Sequence, residues 1–246
     1  LIECSMSVTS RGRELITDSA LFFEKHYGAT TVYGDSILGN EPLILKDSED
    51  FISIKRIEDL HGDWKSYENF KILDSNRKEK EYINSDLFIW SQGKWNKIRK
   101  IIRHKTKKDI FRVSTHTGTV DVTEDHSLLD QNLQILKPEN CIPGTTKLAH
   151  SYPNFINFEM SCKFKKKYSM IEDNLDKLQL QKMYIYYKNS SYFPKLDIEG
   201  EDIILTLEEK EISDKTTVKK IYKIKEDYED YVYDVETEDG HFCAGI

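Results

Sequence analysis

The chain has 246 residues, of which 38% are apolar, and this is enough to bury a core in one large domain or in a short segment plus one domain. Its 36 basic and 43 acidic residues are spread fairly evenly and leave a formal net charge of -7, so no basic face predicts tight binding of nucleic acid. The longest apolar runs, such as Ile203–Leu205, are far too short to cross a bilayer, and no signal segment opens the chain. We therefore expect a soluble, intracellular protein without a membrane partner.

The cysteines show no Cys-x-x-Cys pair, which argues against a zinc site and against a disulfide framework. They are Cys4, Cys141, Cys162 and Cys243. We expect all of them to be reduced thiols.

The first 35 residues predict one helix followed by one strand. Apolar side chains recur at helical spacing from Leu15 to Tyr27, and Gly28 can end the helix. Residues 30–33 then have strand character and lead to Tyr33-Gly34-Asp35.

This segment resembles a stretch of family B DNA polymerases. The resemblance is carried by Val8-Thr9-x-x-Gly12-Arg13, by the helix length, and by Tyr33-Gly34-Asp35, which opens the family's Tyr-Gly-Asp-Thr-Asp-Ser turn. The paired aspartates of that turn hold divalent metal, so the resemblance implies that Asp35 would bind Mg²⁺ in the host polymerase. The rest of the turn does not follow, and we expect no polymerase activity from this chain.

From Ser36 onward, short β-rich runs alternate with polar turns, and this spacing predicts a compact, mainly β fold. The predicted strands are residues 43–45, 51–54, 70–73, 87–90, 95–102, 110–114 and 119–123. The basic run at residues 105–108 is expected to be a solvated turn rather than a DNA patch.

Two strands joined through Thr117-Gly118 predict a hairpin, after which Thr123 and His126 follow three residues apart. A turn at this point can aim both side chains at one peptide bond. The spacing Gly-x-x-x-x-Thr-x-x-His, together with a Ser36 that opens an apolar β-run, resembles two sequence blocks of inteins, which are self-excising protein elements. His116, on the hairpin, is expected to be a surface residue.

Residues 137–212 are less informative. They predict a polar connection, a helix over residues 175–188 with Leu178, Gln181/Lys182 and Ile185 on one face, and strands at residues 195–198 and 202–207. The pattern is similar to the tail of the homing-endonuclease insertion of many inteins, but it lacks the acidic dodecapeptide that cuts DNA. We interpret the stretch as a linker and decayed remnant, with a plain spacer as the alternative.

The last stretch, Tyr231 to Ile246, resembles the sixth intein block. By this resemblance Asp234 is an acidic residue near both splice junctions, and His241 assists the final cyclisation. The family's next strand, which ends in His-Asn and would be followed by Thr-Asp-Ser, is not in this sequence. Three alternatives stay open: the strand is lost from the gene, it is removed from the chain, or it is encoded separately, in which case a complementary C-terminal piece would be a partner.

Together these resemblances imply a Hint-type β horseshoe inserted in a polymerase. Residues 1–35 would be the polymerase flank, 36–136 and 213–246 the splicing domain, and 137–212 a small α/β insertion. The family's chemistry implies that Ser36 attacks the carbonyl of Asp35 with help from Thr123 and His126, in a single turnover and without a cofactor. The protein's own polymerase flanks would be its partners, and DNA would bind only through the mature polymerase, wherever a cellular or viral host enzyme acts.

Two alternatives stay open at this point. One is an inert polymerase fragment with a β insertion that does not splice. The other is a hedgehog-type autoprocessing domain, which shares the nucleophile and the Thr-x-x-His logic but usually has Cys as its nucleophile and follows a secreted domain.

Overall fold

The computed structural model describes residues 36–66, 80–153, 167–169, 176–189, 193–199, 202–208 and 214–245. The polymerase-like helix and strand, Asp35, the strand predicted at 70–73, Cys4 and Cys162 lie outside these residues. No helix among the described residues is long and apolar enough to cross a membrane.

The described elements are mostly strands, so the predicted mainly β class is confirmed. The strands are β1 (Ile37–Leu38), β2 (Pro42–Lys46), β3 (Ile52–Arg56), β4 (Lys65–Ser66), β5 (Lys80–Asn84), β6 (Phe88–Ser91), β7 (Lys94–Lys105), β8 (Lys108–Ser114), β9 (Thr119–Thr123), β10 (Leu128–Leu129), β11 (Ile135–Leu136), β12 (Lys167–Ser169), β13 (Phe193–Glu199), β14 (Asp202–Glu208), β15 (Lys220–Tyr228) and β16 (Tyr231–Thr237). One α-helix, α1 (Lys177–Asn189), and two short 3-10 turns, Ile57–Asp59 and Pro138–Asn140, complete the described part.

Most strands belong to one curled, 11-stranded sheet, which we call the large sheet. Its order is β15-β8-β9-β1-β16-β7-β6-β2-β3, and β5 joins it through β7 and carries β4. The long strand β7 pairs with β6 at its start and with β5 toward its end, so it connects two parts of the curl. This curled half-barrel agrees with the expected horseshoe.

The strands predicted within the described residues are present. The turn Gln92-Gly93, with φ of 48° and 80°, joins β6 to β7 because a tight hairpin needs left-handed backbone at both positions. The turn in the basic run 105–108 is shorter than expected, because Lys105 is the last residue of β7 and Lys108 is the first residue of β8. Thr106, which lies between them, is buried.

Within the 137–212 stretch, α1 and the three-stranded sheet β12-β14-β13 form a unit that we call the inserted unit, whereas Cys141 and Leu148 pack with the large sheet. The helix begins at Lys177 rather than at residue 175. Of the face predicted to be buried, Gln181 and Ile185 are buried, Leu178 is half-buried and Lys182 is exposed. The apolar spacing did not indicate Lys177, which is also buried because its ammonium group contacts Glu41 and Asp121 of the large sheet.

Two of the three hydrophobic clusters among the described residues lie on opposite faces of strand β2. The first lies in the curl of the large sheet and includes Leu43, Leu45, Ile98 and Ile101. The second lies between the sheet and the inserted unit, where Ile44 meets Leu180 and Leu205. Strand β2 is therefore buried on both faces, because alternate side chains of a strand point to opposite sides.

Candidate functional site

Ser36 lies at the start of the short strand β1, which is held between β9 and β16. Ile37 is paired with Val122 on one side and with Tyr233 on the other. The backbone N–H of Thr123 donates to the Ser36 carbonyl at 3.0 Å, and the Thr123 hydroxyl donates to the same oxygen at 3.4 Å. Ser36 is only 1% exposed, and its hydroxyl has no hydrogen-bond partner among the described residues.

The turn after β9 carries His126. Its backbone N–H donates to the Thr123 carbonyl at 3.0 Å, so His126 closes the turn that begins at Thr123. Lys108 forms an ion pair with the Asp125 carboxylate, and Lys137 donates a hydrogen bond to the Asp125 carbonyl. Asp125 of this turn is therefore held by two lysines. Burial works to raise the pKa of Asp125, but the hydrogen bonds from Lys108 and Thr123 outweigh it and hold that pKa below its usual value.

Asp234 belongs to β16, the strand that pairs with β1 on the side away from β9. The register that pairs Ile37 with Tyr233 and Leu38 with Val232, continued by one residue, puts Asp234 across from Ser36. The Val235 N–H donates to the Asp234 carboxylate at 2.7 Å, which orients that side chain. Thr123 and Asp234 thus lie on the two strands that flank β1, and Ser36 directly precedes β1.

His241 lies in the turn that follows β16. Its N–H donates to the Asp239 carboxylate at 3.2 Å, and its carbonyl accepts from the Thr237 hydroxyl at 3.0 Å. Both of these contacts join His241 to its own turn, and neither joins it to Ser36. Gly240, with φ of 77°, provides the left-handed backbone that the turn requires.

His116 is half-buried rather than on the surface, contrary to the prediction. Its carbonyl accepts from the Leu196 N–H at 2.6 Å, because strand β13 of the inserted unit packs over the hairpin loop. Burial, with Lys219 and Lys195 nearby, lowers the pKa of His116.

The sequence interpretation missed a buried charged cluster that consists of Glu41, Asp121, Lys177 and Arg112. Lys177 contacts the Glu41 carboxylate and lies 3.0 Å from Asp121 Oδ2, and Arg112 makes two 2.7 Å hydrogen bonds to Asp121. The Asp121 N–H also donates to Glu41 at 3.0 Å. One signal was available: a carboxylate between Val120 and Val122 in mid-strand is unusual, and it indicates a buried charge with a partner.

The two carboxylates of this cluster respond differently to burial. Burial raises the pKa of Glu41 to about 7, although Lys177 acts in the opposite direction. For Asp121, burial also acts to raise the pKa, but Lys177 and Arg112 outweigh it and the pKa is lowered. Asp121 therefore stays ionised near neutral pH, while Glu41 can exchange a proton.

No group of three or more His, Cys, Asp or Glu side chains within the described ranges is arranged to hold a metal ion. The metal role expected for Asp35 falls outside those ranges.

No protein-family model matches the chain. A DNA polymerase of Acanthamoeba polyphaga mimivirus is 44% identical over 161 residues, which are 63% of this chain and 9% of the polymerase. A DNA polymerase of Thermococcus sp. (strain GE8) is 34% identical over 136 residues, which are 52% of this chain and 7% of the polymerase. The chain thus spans less than a tenth of the length of these relatives.

Similar solved structures are inteins. The transcription factor IIB Mvu mini-intein has a TM-score of 0.47 at 17% identity, with 87% of this chain and 96% of that chain covered. The KlbA intein precursor from Methanococcus jannaschii has a TM-score of 0.40 at 16% identity, with 88% and 89% covered. The chain is therefore similar in sequence to segments of DNA polymerases and similar in structure to inteins.

Proposed function

We propose that this chain is a protein-splicing element interrupting a DNA polymerase, and that Ser36 is its first nucleophile. The observation that supports the proposal is the buried Ser36 hydroxyl, which has no hydrogen-bond partner among the described residues, in a residue whose carbonyl accepts two hydrogen bonds from Thr123. Ser36 also follows directly on the polymerase-like residues Tyr33-Gly34-Asp35, at the point where the turn of that family is interrupted.

The first step is an N–O acyl shift. The Ser36 oxygen attacks the carbonyl carbon of Asp35, the C–N bond to Ser36 breaks, and an ester joins residues 1–35 to the Ser36 side chain. The hydroxyl proton is lost, and the Ser36 nitrogen gains a proton to become a free amine, so the step consumes no water. Attack by an adjacent residue has a large proximity advantage over attack from solution.

The surrounding residues have distinct roles in this step. His126 donates the proton to the departing Ser36 nitrogen, as an imidazole near neutral pH can. Thr123 holds the Ser36 carbonyl with two hydrogen bonds and so fixes the residue on the β9 side. Asp234 flanks Ser36 on the other side, where a carboxylate can accept the hydroxyl proton.

Later steps would involve segments beyond Gly245. The ester would pass to a hydroxyl nucleophile downstream, and His241 would assist cyclisation of a terminal Asn. The flanking polymerase segments would be the partners in this route. In the joined polymerase, Asp35 would hold Mg²⁺ and DNA would be the substrate; Mg²⁺ has no part in the acyl shift proposed for Ser36.

The experiment compares the native chain with Ser36→Cys and with Ser36→Cys/His126→Ala by intact mass spectrometry in dithiothreitol. Ser36→Cys should cleave between residues 35 and 36 at least as fast as the native chain, because a thiol ionises far more readily than a hydroxyl. Loss of His126 should slow this cleavage by about two to four orders of magnitude, the usual contribution of general acid catalysis. An equal cleavage rate in both variants would refute the role of His126, and an uncleaved Ser36→Cys chain would refute the proposed function.

A further inference from the structure

The C-terminal segment Phe242–Gly245 follows a fixed path over the large sheet. The Cys243 N–H donates to the Trp90 carbonyl at 3.0 Å, and the Gly245 N–H donates to the Pro42 carbonyl at 3.1 Å. Gly245 is buried and has φ of 81°. A Cβ atom at this position would lie 2.4 Å from the Thr119 carbonyl oxygen, so only glycine fits here.

Helix α1 reaches the same place from the inserted unit. Gln181 is 2% exposed, and its side-chain amide donates to the Gly245 carbonyl at 2.7 Å. Lys177 is one helical turn earlier on the same face, and its ammonium group contacts Glu41 and Asp121 of the large sheet. One face of α1 therefore binds the large sheet and the C-terminal segment together.

Both side chains that face Gly245 keep a buried acceptor without a partner among the described residues. These acceptors are Glu41 Oε2, which would lie 3.1 Å from a Cβ atom at Gly245, and Gln181 Oε1. A buried acceptor without a donor costs free energy, and apolar side chains would fill the same space without that cost. Polar residues at both positions indicate that the orientation of the segment matters more here than packing alone.

We propose that Lys177 and Gln181 are positioning residues, which together hold the segment Phe242–Gly245 against the large sheet. We call this contact the α1 clasp. The inserted unit then sets the direction of the backbone at Gly245, and in the proposed function it would thereby orient whatever leads to the downstream splice junction. Only the consequence for the downstream splice junction rests on the proposed function. The contact between α1 and the C-terminal segment can be measured in a chain that does not splice.

The test is hydrogen exchange, resolved at single amides, in the native full-length chain and in two matched variants. Gln181→Met keeps the length of the side chain and removes the donor, and Lys182→Met places the same residue at the exposed neighbouring position. Gln181→Met should speed exchange of the Gly245 and Cys243 amides by about five- to tenfold, which corresponds to the loss of one hydrogen bond. The exchange rates of the other amides of the large sheet should not change. Gly245→Ala should speed these two amides more than Gln181→Met does.

Three results would overturn the clasp. These are unchanged exchange at Gly245 and Cys243 in Gln181→Met, an equal increase in Lys182→Met, and a general increase across the sheet with a lower urea midpoint. The same samples are scored for cleavage between residues 35 and 36. Lack of cleavage in all of them would refute the proposed function and leave the exchange result standing, while unchanged exchange would refute the clasp alone.

Discussion

The large sheet has a hydrophobic cluster of its own inside its curl, whereas the inserted unit shares its cluster with the sheet, and the two clusters meet at strand β2. Leu43 and Leu45 contribute to the cluster inside the curl, and Ile44 between them contributes to the cluster under α1. The residues expected to carry the chemistry belong to the large sheet, whereas the inserted unit provides Lys177 and Gln181. The inserted unit has no recognisable site motif, yet its helix α1 contacts Glu41 and Asp121 of the large sheet and Gly245 of the C-terminal segment.

The two regions are also joined by charge. Lys177 of the inserted unit has a side chain only 3% exposed, and it lies between two carboxylates of the large sheet. Elsewhere in the described chain, ion pairs such as Lys107–Glu229 lie at the surface, where both partners are more than 60% exposed. An exposed pair contributes little to stability, whereas loss of one partner of a buried pair leaves an uncompensated charge.

The largest effect is expected from Lys177→Met. At pH 8 it should lower the free energy of unfolding by about 3–5 kcal/mol, because Glu41 and Asp121 would remain buried without their shared cation. The loss should be smaller at pH 6, because removal of Lys177 would raise the pKa of Glu41 above its native value of about 7, so that Glu41 would be protonated and uncharged at pH 6. Urea unfolding at both pH values measures this.

The control for this effect is Lys182→Met, which should change the midpoint little because Lys182 is exposed. The double variant Lys177→Met/Glu41→Gln should recover part of the loss. A Lys177→Met chain as stable as the native one at pH 8 would show that the two regions are not joined through this cluster.

The next effect separates the two faces of β2. Ile44→Ala and Leu43→Ala should each cost about 2–4 kcal/mol, since both side chains are buried. Their local consequences should differ, because Ile44 supports the inserted unit and Leu43 the inside of the curl. Limited proteolysis should therefore cut the 167–208 stretch faster in Ile44→Ala than in Leu43→Ala, and identical digestion patterns would contradict two separate clusters.

A smaller effect concerns His150, which connects the hairpin loop of the large sheet to the chain entering the inserted unit. Its Nε2 lies 2.7 Å from the Thr117 hydroxyl, and burial together with nearby Lys188 lowers its pKa to about 4. The folded state therefore favours neutral His150, so this contribution is complete above the unfolded pKa of about 6.5 and is lost as the pH falls toward 4. The loss should reach up to about 3 kcal/mol.

Stability curves of the native chain and of His150→Gln between pH 7.5 and 4 check this prediction. The glutamine can keep a hydrogen bond to Thr117 and does not titrate in this range. The difference between the two curves isolates His150 from the other histidines. A native curve parallel to that of His150→Gln would contradict a lowered pKa.

Much of the large sheet was predictable because its strands have local signals. The run Leu43-Ile44-Leu45, the hairpin through Thr117-Gly118 and the strand ending at Thr123 all lie where the sequence predicts them. The continuous apolar run at β2 also contained a further signal that was not used. A strand of an antiparallel sheet with one solvated face alternates, so three consecutive apolar residues indicate cover on both faces.

The surroundings of Ser36 were only partly predictable. The position of Thr123 next to Ser36 follows from the register of β1 with β9, and that of Asp234 from its register with β16. Neither register can be obtained from local patterns, since these strands are far apart in the sequence. One partner of Lys177 is Glu41, which is 136 positions away in the sequence. The periodicity of the helix therefore could not have indicated this ion pair.

The most direct test of the central claim is hydroxylamine treatment of the native chain and of Ser36→Ala, followed by mass spectrometry. An ester at Ser36 would be captured as residues 1–35 ending in an Asp35 hydroxamate, with residues 36–246 released whole. Asp35 could also react through its own carboxyl group, and Ser36→Ala leaves that route intact. Release from Ser36→Ala therefore measures that background, and release from the native chain should clearly exceed it, whereas equal release from both would show that Ser36 is not the nucleophile.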